Sequence, residues 1–124
     1  MEFKLKFELA ASDVDRARAW YSEKLGLEPI NPGDTELLYD VAGTQFGIYP
    51  SDNAGTNKAT AVRLVVGDFD AARAELLSKG VDFEEYDLGD DFHTVDGVLV
   101  SPDGERTSWF KDSEGNILAL GSSL

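Results

Sequence analysis

The chain has 124 residues, 24 acidic and 11 basic, with one histidine, no cysteine and a formal charge of −13. That length is one domain's worth at about 100–200 residues per domain, and a 42% hydrophobic share supports a globular core. The acidic balance, with no basic stripe, argues against nucleic-acid and anionic-membrane partners, and the cysteine count excludes disulfides, thiol nucleophiles and thiolate metal sites.

Residues 3–9 alternate strictly between apolar and charged, which predicts a half-buried strand with Phe3, Leu5, Phe7 and Leu9 on one face and Lys4, Lys6 and Glu8 on the other. The same alternation is unlike a signal peptide or a membrane span, so the expectation is a cytoplasmic protein. Ser12 and Asp13 offer capping oxygens, and Val14, Ala17, Tyr21 and Leu25 recur at helical spacing up to Gly26, which suits a left-handed C-cap. Two strand-like runs follow, Thr35–Val41 and Thr44–Tyr49, with Ala42-Gly43 as the turn. Residues 50–58 form a polar loop.

The pattern then restarts. A shift of 55 residues matches Leu9 with Leu64, Asp13 with Asp68, Asp15 with Asp70, Ala17 with Ala72, Arg18 with Arg73, Ala19 with Ala74 and Lys24 with Lys79. At a shift of 72, Gly43 falls on Gly115, each ahead of a strand. We read two tandem modules, about 1–52 and 58–124, within one domain, each running strand, helix, then several strands. In the second module, Ser101-Pro-Asp-Gly104 is a turn between Gly97–Val100 and Arg106–Lys111, and Asp112–Asn116 is another before the strand Ile117–Gly121.

Several side chains invite a functional reading. Lys6, Glu8 and Arg63 should project from the sheet face opposite the helices, either to orient a polar or anionic ligand or as a cross-strand ion network. Trp109, Tyr49 and Tyr39 lie on strands, as aromatic walls for a planar ligand or as packing. Trp20, on a helix beside its apolar stripe, reads as packing. His93 is the one side chain expected to titrate near neutral pH, and it lies in a loop. The acidic stretch Asp82–Asp91 lacks a calcium-loop pattern and reads as a charged strand or edge that discourages sheet pairing. Whether Trp109 or Phe110 faces away from the helices stays open.

Two stretches, Ala19-Trp-Tyr-Ser-Glu-Lys-Leu-Gly-Leu27 after the first strand and Trp109-Phe-Lys-Asp-Ser-Glu-Gly-Asn-Ile-Leu118 near the end, resemble the vicinal oxygen chelate superfamily of glyoxalases, extradiol dioxygenases, fosfomycin-resistance enzymes and bleomycin-resistance proteins. The resemblance implies an α+β fold of two tandem βαβββ modules, curved into a cup-shaped mixed sheet with helices outside. It also implies metal-ligand positions on the first and last strands of each module, and here these fall on Lys6, Ala61, Gly47 and Ala119. None is a normal metal ligand. The resemblance therefore leads to the bleomycin-resistance type: a metal-free protein without cofactor that sequesters a hydrophobic or aromatic small molecule, such as an antibiotic, as a homodimer. The alternative is an enzyme, a lyase, isomerase or epimerase, with Glu8 or His93 as general base and Lys6 or Arg63 stabilising an oxyanion.

Overall fold

A computed structural model describes residues 1–122. The elements run β1 (Phe7–Ala11), α1 (Val14–Leu25), β2 (Leu37–Val41), β3 (Thr44–Pro50), β4 (Thr60–Val65), α2 (Phe69–Ser78), β5 (Leu99–Val100), β6 (Arg106–Lys111) and β7 (Ile117–Gly121). They form two compact units. The first holds Met1–Asn57 together with Asp112–Asn116, and the second holds Lys58–Lys111 and the chain from Ile117 on. Each unit carries its own mixed sheet.

In the first unit the sheet order is β1-β3-β2, with β1 parallel to β3 and β2 antiparallel to it. The β2–β3 turn works because Ala42 and Gly43 both take positive φ, 51° and 89°, the twist a two-residue hairpin needs. Beyond β2 the ladder continues irregularly: Ile30 N donates to Leu38 O, and the Asn31 side chain bonds Glu36 O and Leu38 N. Leu9, Ala11, Leu37 and Ile48 are buried on one sheet face. Tyr21 of α1 reaches Tyr39 and Phe46 on that same face, with ring centroids 5.9 and 6.1 Å away. Strand β1 is shorter than the alternation predicts. Pairing with β3 starts at Phe7↔Phe46, and Phe3, Leu5 and Phe7 stay exposed, so of the expected apolar face only Leu9 is buried.

In the second unit the order is β4-β7-β6-β5. Phe110, Leu118 and Leu120 are buried, as are Phe69 and Leu76 of α2. Arg106, on the same side of β6 as Phe110, lays its guanidinium 4.8 Å from the Phe69 ring centroid and pairs with Asp70 of α2. Even-numbered residues of β6 therefore face the helix, and Trp109 faces away. The strand expected from Gly97 is confined to Leu99–Val100. Asp82–Asp91 is not a regular strand. Its ladder pairing is limited to the isolated bridges Phe83↔Phe110 and Asp87↔His93, with single backbone bonds such as Glu84 N to Trp109 O, because its alternating carboxylates leave too few apolar side chains to seal a ladder.

The repeat seen in sequence recurs at the helix starts. Asp13 accepts from Arg16 N at 3.0 Å and Asp68 from Ala71 N at 3.0 Å, so each helix opens on the same aspartate cap. Gly26 ends α1 at φ 67°, as expected.

Candidate functional site

The register of β1 against β3 places Glu8 directly across from Gly47, on the face away from α1, and puts Tyr49 on that face through its pairing with Ala10. Lys6, two residues before Glu8, lies over Gly47. A Cβ added at Gly47 would come within 2.8 Å of Lys6 Cε, so glycine is what lets the lysine stem lie flat on the strand. The Lys6 ammonium contacts Glu8 Oε1 at 3.0 Å and Glu36 Oε1 at 3.5 Å. Its pKa is raised, chiefly by the hydrogen bond it donates to Glu8, so it stays charged. Asp40 pairs with Gln45 on this face as well. One cation among three carboxylates gives no surplus positive charge, which removes the expected attraction for an anionic ligand.

Arg63 is the counterpart in the second unit. It sits across from Ala119, which is flanked on its other side by Trp109. Its guanidinium contacts Glu105 and, at 3.1 Å, Thr107 Oγ1, and a Cβ at Gly121 would fall on it. Arg63 is thus charge-paired within its own unit.

Trp109 is buried with Ile117 and Ala119, and Tyr86 and Leu99 pack against this cluster. Its ring meets Tyr86 edge-on at 5.5 Å and Phe92 at 5.8 Å, and its Nε1 donates to Thr60 Oγ1 at 3.0 Å. Burial raises the Tyr86 pKa, keeping the phenol neutral. Tyr86 lies in the acidic stretch and Phe92 directly follows it; aromatics spaced among the carboxylates are the sequence signal that could have found this cluster. Tyr49 remains exposed. Tyr39 does not belong to the candidate site. It is 1% exposed on the helix face, stacked on Phe46 at 4.8 Å, because β2 pairs in the register that sends odd residues to the core. Trp20 is half-buried and meets Tyr21 edge-on, in keeping with packing.

His93 is exposed, with Nδ1 3.2 Å from Gly89 O. It borders a cleft of about 190 Å³ with Asp90, Asp91, Val95, Val98 and Leu99. Lys6 and Glu8 lie in the first unit, and His93, Arg63 and Trp109 in the second.

The four positions implied as metal ligands can be tested against these surroundings. Lys6 is a paired cation, Gly47 lies beneath its stem, Ala61 falls in the β4 bulge between Thr60 and Val62, and Ala119 lies between Arg63 and Trp109. No carboxylate or imidazole stands at any of them. Among the described residues, no three His, Cys, Asp or Glu side chains converge to hold an ion. The residues present do not fit a divalent metal at these positions.

A separate cluster, in the first unit, centres on the Asp112–Asn116 turn, whose side chains were given no role in the sequence. Asp112 accepts from the Glu114 and Asn116 backbone N–H groups at 2.8 and 2.9 Å, from Asn116 Nδ2 at 2.9 Å, and from the Tyr21 hydroxyl at 2.6 Å. Asn116 Nδ2 also bonds Ala10 O on β1. Glu114, its side chain fully buried, takes the Asp13 backbone N–H at 2.9 Å and the Arg16 guanidinium at 2.9 Å. Burial would raise the Glu114 pKa, but bonds from Arg16, Ser113 and the Asp13 backbone hold it down at about 2. The Asp112–Asn116 turn is thus a structural clamp on α1 and β1. Its signal was two acidic residues in a turn that buries them.

No protein-family model matches the sequence, and no curated protein matches it. Solved structures do. A glyoxalase/bleomycin resistance protein from Catenulispora acidiphila superposes with a TM-score of 0.71 at 25% identity, over 99% of this chain and 100% of its own. A lactoylglutathione lyase from Agrobacterium tumefaciens matches at 0.71 and 16% identity, covering 98% and 94% of the two chains. A mutant of the fosfomycin resistance protein FosX from Listeria monocytogenes, complexed with Mn(II) and a dihydroxypropylphosphonic acid, matches at 0.68 and 18%, covering 100% and 93%.

Proposed function

From the premise that this chain has the fold of the vicinal oxygen chelate superfamily, we propose that it is a metal-free small-molecule binding protein of the glyoxalase/bleomycin-resistance type. Its ligand is a hydrophobic or aromatic compound, an antibiotic being one such class, and its working form is a cytoplasmic homodimer. The observation that carries the reading is the replacement of the implied metal ligands by Lys6, Gly47, Ala61 and Ala119. The aromatic cluster of Trp109, Tyr86 and Phe92 supports it by supplying flat apolar surface on the face away from α2. Lys6, Glu8, Tyr49, Arg63 and His93 are the candidate polar contacts, and their balanced charges favour a neutral or cationic ligand over an anion. No described helix is long and apolar enough to cross a membrane.

The test is calorimetry against a panel of aromatic natural products, with fluorescence of a Trp20→Phe variant so that Trp109 alone reports. Micromolar binding with a change in Trp109 emission is expected. Binding no tighter than millimolar across the panel, alongside tight uptake of a divalent metal, overturns the reading.

One observation favours a second reading, an enzyme. Glu8 is an exposed carboxylate 3.0 Å from the Lys6 ammonium, a base beside a group that could steady an oxyanion. The neighbours described as a lyase and a fosfomycin resistance protein keep lyase, isomerase or epimerase chemistry in view. Under that reading Glu8→Gln lowers turnover by about 10²-fold or more, whereas a binder has no turnover to lose.

A further inference from the structure

Each last strand carries a small residue where the superfamily implies a metal ligand, and each has a fixed cation beside it. On β3 it is Gly47, with the Lys6 stem across it. On β7 it is Ala119, with Arg63 across the ladder and the Arg63 guanidinium packed on Gly121. Glycine at position 47 is not needed for an unusual backbone angle, since it takes no positive φ. It is needed for the close approach of Lys6 Cε.

We infer that the Lys6 ammonium is a built-in substitute for a divalent ion: it bridges Glu8 and Glu36, which would otherwise repel. The geometry is that of a cation between two acceptors, 3.0 and 3.5 Å from their oxygens, on a strand stripped of side chain to make room. Repulsion between a fixed ammonium and a dication at this range disfavours metal entry while the lysine is present. The inference deepens the proposed metal-free binding, because it names what holds the site together without a metal. It also gives one side chain, Lys6, a part in metal exclusion beyond the missing donors. Replacing Lys6 with histidine would leave an imidazole and two carboxylates converging, a donor set suited to a first-row transition metal.

The experiment is a Co(II) titration followed by visible absorption, on wild type and on Lys6→His, Lys6→Gln and the double variant Lys6→His/Glu36→Gln, with thermal melts to establish folding. Wild type should show no ligand-field band. Lys6→His should gain one and bind Co(II) more tightly than wild type, and Glu36→Gln in that background should reverse the gain. Lys6→Gln, which removes the charge at nearly constant length, should gain a smaller share and serves if the histidine variant does not fold. Wild type binding Co(II) as tightly as Lys6→His, or no gain in any folded Lys6 variant, overturns the inference. No organic ligand enters this experiment. Its failure leaves small-molecule binding standing, and a failure of every organic compound to bind leaves this result intact.

Discussion

Tyr21 and Tyr39 share one aromatic cluster, but their hydroxyls have different surroundings. The Tyr21 hydroxyl donates to Asp112 at 2.6 Å, while that of Tyr39 is buried with no partner among the described residues. Burial pushes the pKa of both up, that of Tyr39 to about 12, so both stay neutral in ordinary buffers. Tyr21→Phe should cost about 1.5–3 kcal/mol, since it removes a bond to a buried carboxylate, whereas Tyr39→Phe should cost under about 1 kcal/mol. Urea denaturation of the two variants checks the order, and equal losses would refute it. Glu114 should contribute to acid stability. Its folded pKa of about 2 lies below the ordinary 4.5, so its contribution is complete above about pH 4.5 and is lost as pH falls toward 2. The amount is on the order of 2–3 kcal/mol, allowing for a half-exposed Arg16 partner. Glu114→Gln should flatten the acid limb of a stability–pH profile between those values, and an unchanged slope would assign it to other carboxylates.

At the scale of elements, the aspartate caps carry the repeat into three dimensions. Asp13→Ala and Asp68→Ala should each destabilise by about 1 kcal/mol, while Asp→Asn at either position should cost less, because the amide oxygen still accepts. The two caps lie in separate units, so the double variant should lose the sum if the chain unfolds as one transition. Chemical denaturation monitored by circular dichroism gives both values. The helices and the main strands were legible in the sequence because their signals are local: apolar spacing, an aspartate before the first turn, glycine after the last, Ala-Gly between two strand-like runs. Strand β1 was read too long for the complementary reason. Alternation in residues 3–6 is a property of one segment, whereas a strand exists only where a partner offers hydrogen bonds, and β3 offers them from Phe46 on. The acidic stretch misled in the same way.

For the whole molecule, a charge of −13 sets a self-repulsion that salt screens. Raising ionic strength from about 0.01 to about 0.15 M shortens the Debye length from about 30 to about 8 Å. The exposed pairs, such as Arg106–Asp70, contribute little for salt to remove. The urea midpoint should therefore rise with added sodium chloride, and a fall would mean that attractive pairs outweigh the net charge. The same charge count bears on the candidate site. The basic residues that the sequence placed on the strand faces turned out to be neutralised locally, Lys6 by Glu8 and Glu36 and Arg63 by Glu105.

By itself the sequence determined the paired-module organisation, the helix caps and the hairpin turns, because each rests on residue type and short-range spacing. Only the tertiary structure decided that Trp109 rather than Phe110 faces away from α2, that Tyr39 is core, and that Glu36 and Glu105 hold the two cations. Those outcomes depend on strand register and on contacts between residues about 30 to 40 apart, and a shift of one residue in register exchanges the two faces of a strand.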